Sequence, residues 1–228
     1  MIIKMKKIIA IILAITCAFA MFSCQEEKAD PIDTLNAMYK ASAPTKVVTN
    51  TTEVLGSITL SGTSTLKTGK IDGKIATTYT YSYQELREIE DGVSSVEKPW
   101  VEVTGSQDYL EDKGVRINGG KWDQEGFNFA PSIGSIIVKI TKDNVTDFVA
   151  DDATKTITFK VAADKTAEVF GEDNAIAADV AVTVTHDGAV VTSTALSYTI
   201  EGTEDEYPDA VVTIKVDYTY DLEEITID

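Results

Sequence analysis

Thr78-Tyr79-Thr80-Tyr81-Ser82-Tyr83 alternates between aromatic and hydroxyl-bearing side chains. Successive side chains of a β-strand point to opposite sides of the sheet, so Tyr79, Tyr81 and Tyr83 share one face and Thr78, Thr80 and Ser82 the other. The same two-residue period recurs on both sides of this stretch. Before it, Ile58, Leu60 and Leu66 fall on one face. After it come Ile157, Phe159 and Val161; Val180, Val182 and Val184; Leu196, Tyr198 and Ile200; and Ile214, Val216, Tyr218 and Tyr220. Asp72-Gly73, Asp91-Gly92, Asn118-Gly119 and Asp187-Gly188 punctuate these runs. Such pairs tolerate the positive φ that tight hairpin turns demand. The pattern predicts an antiparallel sheet with one dry face, and something must cover that face.

A cover is written before the first strand. Asp30 is placed to cap a helix and Pro31 suits its first position, while Ile32, Leu35, Met38 and Tyr39 fall at helical spacing until Ala43-Pro44 ends the run. The middle of the chain reads two ways. Ile133, Ile136, Ile137 and Ile140 fit helical spacing, yet Ile136 to Ile140 also suits a buried strand. Asp143 to Val149 predicts a short helix carrying Val145, Phe148 and Val149, and Asp164 to Phe170 predicts another. Glu201 to Pro208, with four acidic residues, reads as an open loop.

The N-terminus has the three parts of an export signal. Lys4, Lys6 and Lys7 precede an apolar run of fifteen residues, Ile8 to Phe22, interrupted by Thr16 and Cys17. The run is short for a membrane span, which takes about 20 apolar residues. It ends Met21-Phe22-Ser23-Cys24, which resembles the lipobox of bacterial lipoproteins, with Phe22 bulkier than the usual residue at its position. The expected organisation is a signal peptide over 1–23, a lipidated Cys24 and tether over 24–30, and one strand-rich domain over 31–228. Gln25-Glu26-Glu27 resembles the acidic export tag of Bacteroidetes-type surface lipoproteins, and the same residues suit a solvated linker. The expected location is the bacterial cell envelope, at the outer membrane or cell surface, with the membrane touched through the anchor alone.

Composition narrows the chemistry. Loss of the three signal lysines takes the net charge from −17 to −20, a field that repels phosphate and argues against nucleic-acid partners. Cys24 is the single cysteine after cleavage, so the domain has no internal disulfide and no cysteine metal site. His186 is the single histidine and stands beside the Asp187-Gly188 turn, where a solvated surface role is commonest. No nucleophile elbow of G-x-S-x-G form accompanies it. Carboxylate pairs such as Asp151-Asp152 lack the ordering of a calcium loop. Neither an enzyme, a cofactor nor a metal is expected.

The order of elements is similar to that of the lipoprotein-localisation carriers and the LppX/LprG-type mycobacterial lipoproteins. Tyr109 to Trp122, Thr156 to Phe170 and Val180 to Tyr220 carry the likeness. The first holds a strand, a turn and Gly120-Lys121-Trp122; the second a strand and a short helix; the third the closing strands. The resemblance implies an α+β fold, a curled antiparallel half-barrel with a few helices across its concave face. It also implies a lipid or other hydrophobic ligand in the space between. Ile58, Leu60, Tyr79, Tyr81, Tyr83, Val182, Leu196, Tyr198, Ile214 and Val216 are the residues expected to line that space. The alternative is a non-enzymatic β-sandwich surface module that binds a protein or glycan by its exterior. A large apolar cavity would favour the carrier, and a closed core with exposed aromatics the module.

Overall fold

The structure is a computed structural model and describes residues 29–55, 57–86, 100–124, 133, 136–202, 209–220 and 225–227. Ten strands form one antiparallel sheet: β1 (Lys46–Leu55), β2 (Ile58–Ile71), β3 (Lys74–Leu86), β4 (Trp100–Leu110), β5 (Gly114–Ile117), β6 (Thr146–Asp151), β7 (Thr156–Val161), β8 (Val180–His186), β9 (Val191–Glu201) and β10 (Val211–Thr219). Their spatial order is β5-β4-β3-β2-β1-β10-β9-β8-β7-β6. Each half is a meander of sequence neighbours, and the halves meet where β1 pairs with β10, from Lys46 opposite Thr219 to Val54 opposite Val211. The outer strands β5 and β6 are not paired with one another, so the sheet is open.

Register joins the alternating runs into one face. Tyr79 lies opposite Leu66, Leu66 opposite Val47, and Val47 opposite Tyr218. Tyr218 lies opposite Thr194, Thr194 opposite Val184, and Val184 opposite Ile157. Directly opposed residues share a face. The tyrosine row therefore stands on the same side of the sheet as the core valines.

Helix α1 (Pro31–Lys40) covers one part of that side. Asp30 accepts a hydrogen bond from the Ile32 N–H at 3.0 Å, and Pro31 occupies the first turn, where its missing N–H costs nothing. Ile32, Leu35, Met38 and Tyr39 are buried and join Phe159, Val161, Val180, Val182, Val184 and Leu196 in the main core. The Tyr39 hydroxyl meets the Thr194 hydroxyl at 2.8 Å, which satisfies two buried polar groups together. Helix α2 (Thr166–Phe170), entered through a 3₁₀ turn at Ala163–Lys165, adds Val169 and Phe170. A second, smaller cluster lies on the opposite side of the sheet at the hairpin end of β3, where Ala76 and Leu110 meet Ile225. Beside it the Arg116 guanidinium, 2.8 Å from Asp108, stands 5.0 Å over the Trp122 ring.

The turns follow their sequence signals. Asp72 and Gly73 have φ of 51° and 81° between paired Ile71 and Lys74, a two-residue hairpin whose twist matches the strands. Asn118 and Gly119 repeat this at 48° and 68°. At the Asp187-Gly188 turn the Asp187 carboxylate accepts from the Ala189 and Val190 N–H groups. Asp91-Gly92 and residues 203–208 lie outside the described residues.

Two expectations for the middle of the chain are corrected. Asp143 to Val149 is not a helix: Asn144 closes a turn by accepting from the Thr141 N–H, and β6 then begins at Thr146. Pairing with β7 overrides the local helical spacing, with a bulge between Thr146 and Val149 and Asp147 at φ 52°. Ile136, Ile137 and Ile140 are buried, yet 136–140 is neither helix nor strand. Its backbone finds its partner in a side chain of α1. The Asn36 amide donates to the Ile140 carbonyl at 2.7 Å and accepts from the Ile140 N–H at 2.9 Å, the same pair of bonds a neighbouring strand would supply.

Asn36→Ala is therefore expected to leave a part-buried N–H and C=O unpaired, costing about 1–3 kcal/mol in urea unfolding. Hydrogen exchange at the Ile140 amide should accelerate more than exchange at the amides of β8.

Candidate functional site

The two parts of the shared face have different fates. Over β7 and β8 it is closed: Val161, Val180 and Val184 are completely buried, as is Leu35 of α1. Over β1 to β3 the described residues leave a groove of about 410 Å³, within the range of about 300–1,000 Å³ common for small-ligand sites. Tyr79, Tyr81 and Tyr83 wall it, with ring centroids 5.8 and 5.9 Å apart and interplanar angles of 40° and 29°. Thr49, Thr51 and Glu53 of β1, residues 60–64 of β2, and Ser82 and Gln84 of β3 complete the lining.

Two glycines set the attitude of this wall. Gly105 lies opposite Tyr81, and a Cβ on Gly105 would fall 2.3 Å from the Tyr81 Oη and 2.4 Å from its Cζ. The Tyr81 ring thus reclines across β4 into space that any other residue would fill. Gly62 lies opposite Tyr83 with 3.0 Å between an added Cβ and the Tyr83 Cβ. An aromatic side chain resting on a cross-strand glycine covers backbone that is otherwise bare.

A second pocket, about 200 Å³, lies farther along the same face. Leu196, Tyr198, Val216 and Tyr218 form its sheet side, with Ile136 and Phe170 beside them. It adjoins the groove, since Val216 lies opposite Thr49. Burial holds the Tyr218 hydroxyl in its neutral form up to about pH 12, with Tyr220 and Tyr198 nearby adding to the effect. A third depression along β8 and β9 is built of Ala177, Ala178 and Ala181 beside the charged Lys160, Asp179 and Glu201, a mixture that suits solvent.

The ten residues expected to share one cavity are divided. Leu60, Tyr79, Tyr81 and Tyr83 line the groove; Leu196, Tyr198 and Val216 line the smaller pocket. Val182 is sealed in the core, Ile214 is half-buried against it, and Ile58 is half-buried at the start of β2 and lines neither. Cys24 lies outside the described residues. Sequence reading missed Glu53, Thr49, Thr51 and the two glycines, because their role depends on which strand lies beside which. His186 is half-buried with no hydrogen-bond partner for Nδ1 among the described residues. Among those residues no group of three His, Cys, Asp or Glu side chains could hold a metal ion, and no helix is long and apolar enough to cross a membrane.

Gly105→Val should drive Tyr81 off β4, destabilise the fold by about 1–3 kcal/mol and alter the near-ultraviolet tyrosine signal. Alkaline titration checks the second pocket. Tyr218 ionises near pH 10 when unfolded and only near 12 when folded, so between these values the native state binds more protons and stability falls as pH rises. Denaturant midpoints should be steady from neutral pH to 10 and drop towards 12, and Tyr218→Phe should reduce the drop.

No protein-family model matches the chain, and no curated protein matches it. Among solved structures, a DUF1329 family protein from Desulfovibrio piger is similar with a TM-score of 0.25 and 10% sequence identity, over 86% of this chain and 96% of that one. A likeness of this size fixes neither fold nor function.

Proposed function

We propose that the chain is an exported lipoprotein, held at the cell envelope through Cys24, whose domain binds a ligand without catalysis through the open part of its sheet. In this reading the sheet curls as a half-barrel, and its concave side is the one that carries α1 and the tyrosines. The observation that carries the reading is the division of that side: the core with α1 is filled by side chains, while a row of three tyrosines, the last two stacked, lines a groove of about 410 Å³. Exposed aromatic groups cost solvation and order, and their concentration in one concave place marks a recognition surface. Tyr83, at 42% exposed, is the most open of the three.

A second reading, a lipid carrier, draws on the apolar pocket at Leu196 and Val216. Its volume of about 200 Å³ leaves little room for an acyl chain.

Native mass spectrometry of the exported protein, purified from membranes, separates the two. The groove reading expects the mass of the processed, lipidated chain with no further lipid, and ligand binding that falls in Tyr81→Ala and Tyr83→Ala. A lipid retained beyond the anchor, unaffected by those changes and displaced by Leu196→Trp, would establish the carrier. Cys24→Ser is expected to abolish fatty-acid labelling and release the protein to the soluble fraction. Unchanged labelling would refute the anchor.

A further inference from the structure

We infer that the tyrosine groove takes a neutral glycan chain; the inference rests on the groove reading and names its ligand. Three features of the groove converge on this chemistry.

The first is the wall. A pyranose ring presents a flat C–H face bordered by hydroxyls, and a tyrosine presents an apolar ring with a polar tip, so the two match face to face. The rings here stand at nearly equal intervals, 5.8 and 5.9 Å, a repeat that suits a ligand built of repeated rings. The second is the lining of β1 and β2, where Thr49, Thr51 and Ser64 set hydroxyls that can donate or accept against the sugar edge. An acyl chain laid there would cover these hydroxyls without offering them a partner.

The third is charge. Glu53 is the one charged residue among the described lining. Register turns Lys46, Lys67 and Lys215 of the flanking strands to the other face. A phosphorylated, sulfated or uronate-rich ligand would meet a carboxylate and no cation among these residues, in a chain of net charge −17. A peptide is disfavoured on separate grounds. Strand addition needs a free sheet edge, and β1, β2 and β3 are interior strands, with Tyr79, Tyr81 and Tyr83 paired on both sides.

The test is native affinity electrophoresis of the exported protein, purified in a detergent without a sugar headgroup. Gels carry a panel of neutral polysaccharides (α- and β-glucans, mannan, galactomannan, xyloglucan) or, in parallel, the polyanions pectin and heparin. Retardation is expected in at least one neutral polymer and in neither polyanion. Tyr81→Ala and Tyr83→Ala should each weaken it at least tenfold, while Tyr83→Phe, which keeps the ring, should retain most of it. Far-ultraviolet circular dichroism of each variant verifies the fold. Retardation by no neutral polymer overturns the glycan assignment. If a peptide or lipid instead binds and Tyr81→Ala weakens it, the groove reading survives with another ligand. Glycan binding indifferent to both alanine variants overturns the groove as well.

Discussion

The structure depends on one pairing. β1 and β10 are separated by most of the chain, and their ladder, from Lys46 with Thr219 to Val54 with Val211, is what makes two meanders into one sheet. The main core lies on the β7 to β10 half with its helices, so the ladder joins a half with little core of its own, β1 to β5, to one that has it. Its register also places the two pockets. Thr49 is brought opposite Val216, so the hydroxyl-lined groove and the apolar pocket become neighbours on one face. A slip of one residue would turn every side chain of one half to the wrong side.

Among the described residues, α1 and the five-residue α2 are too short to cover a sheet of this breadth. Ten residues of α-helix span about 15 Å, whereas neighbouring strands lie about 4.8 Å apart. The helix is committed to the half rich in valine, where burial yields most: Val161, Val180 and Val184 are completely enclosed. The irregular passage at 136–140, fixed by Asn36, extends that cover. Over β1 to β3 the same face is furnished with tyrosine, threonine and serine, which tolerate water. The division into core and candidate site follows from where the side chains can afford solvent.

Much of the fold was legible because strands announce themselves locally. The alternation around Tyr81, the Asp72-Gly73 and Asn118-Gly119 turns and the cap at Asp30-Pro31 act over two to four residues, and each appears where it was expected. The passage from Asp143 to Val149 was misread because its partner, β7, arrives only with Thr156. The site was half legible for the same reason. That Tyr79, Tyr81 and Tyr83 share a face follows from period two. That Gly105 makes room for Tyr81, and that Thr49 and Glu53 face the same groove, follows from strand neighbours brought together by folding. Val182, which period two puts on the same face, is enclosed in the main core and lines neither pocket.

The bulge in β6 has a bearing on how molecules of this kind can coexist. A long flat outer strand is a template on which a second sheet can continue by backbone hydrogen bonding. Here one rim, β5, is only four residues long. The other is broken between Thr146 and Val149, with Asp147 at positive φ and Asp151 at its end. The β6 rim therefore offers an incoming strand no uninterrupted run of donors and acceptors, whereas β5 covers β4 only over Gln107–Leu110. A second sheet meeting the β6 rim would lose its backbone ladder at that break.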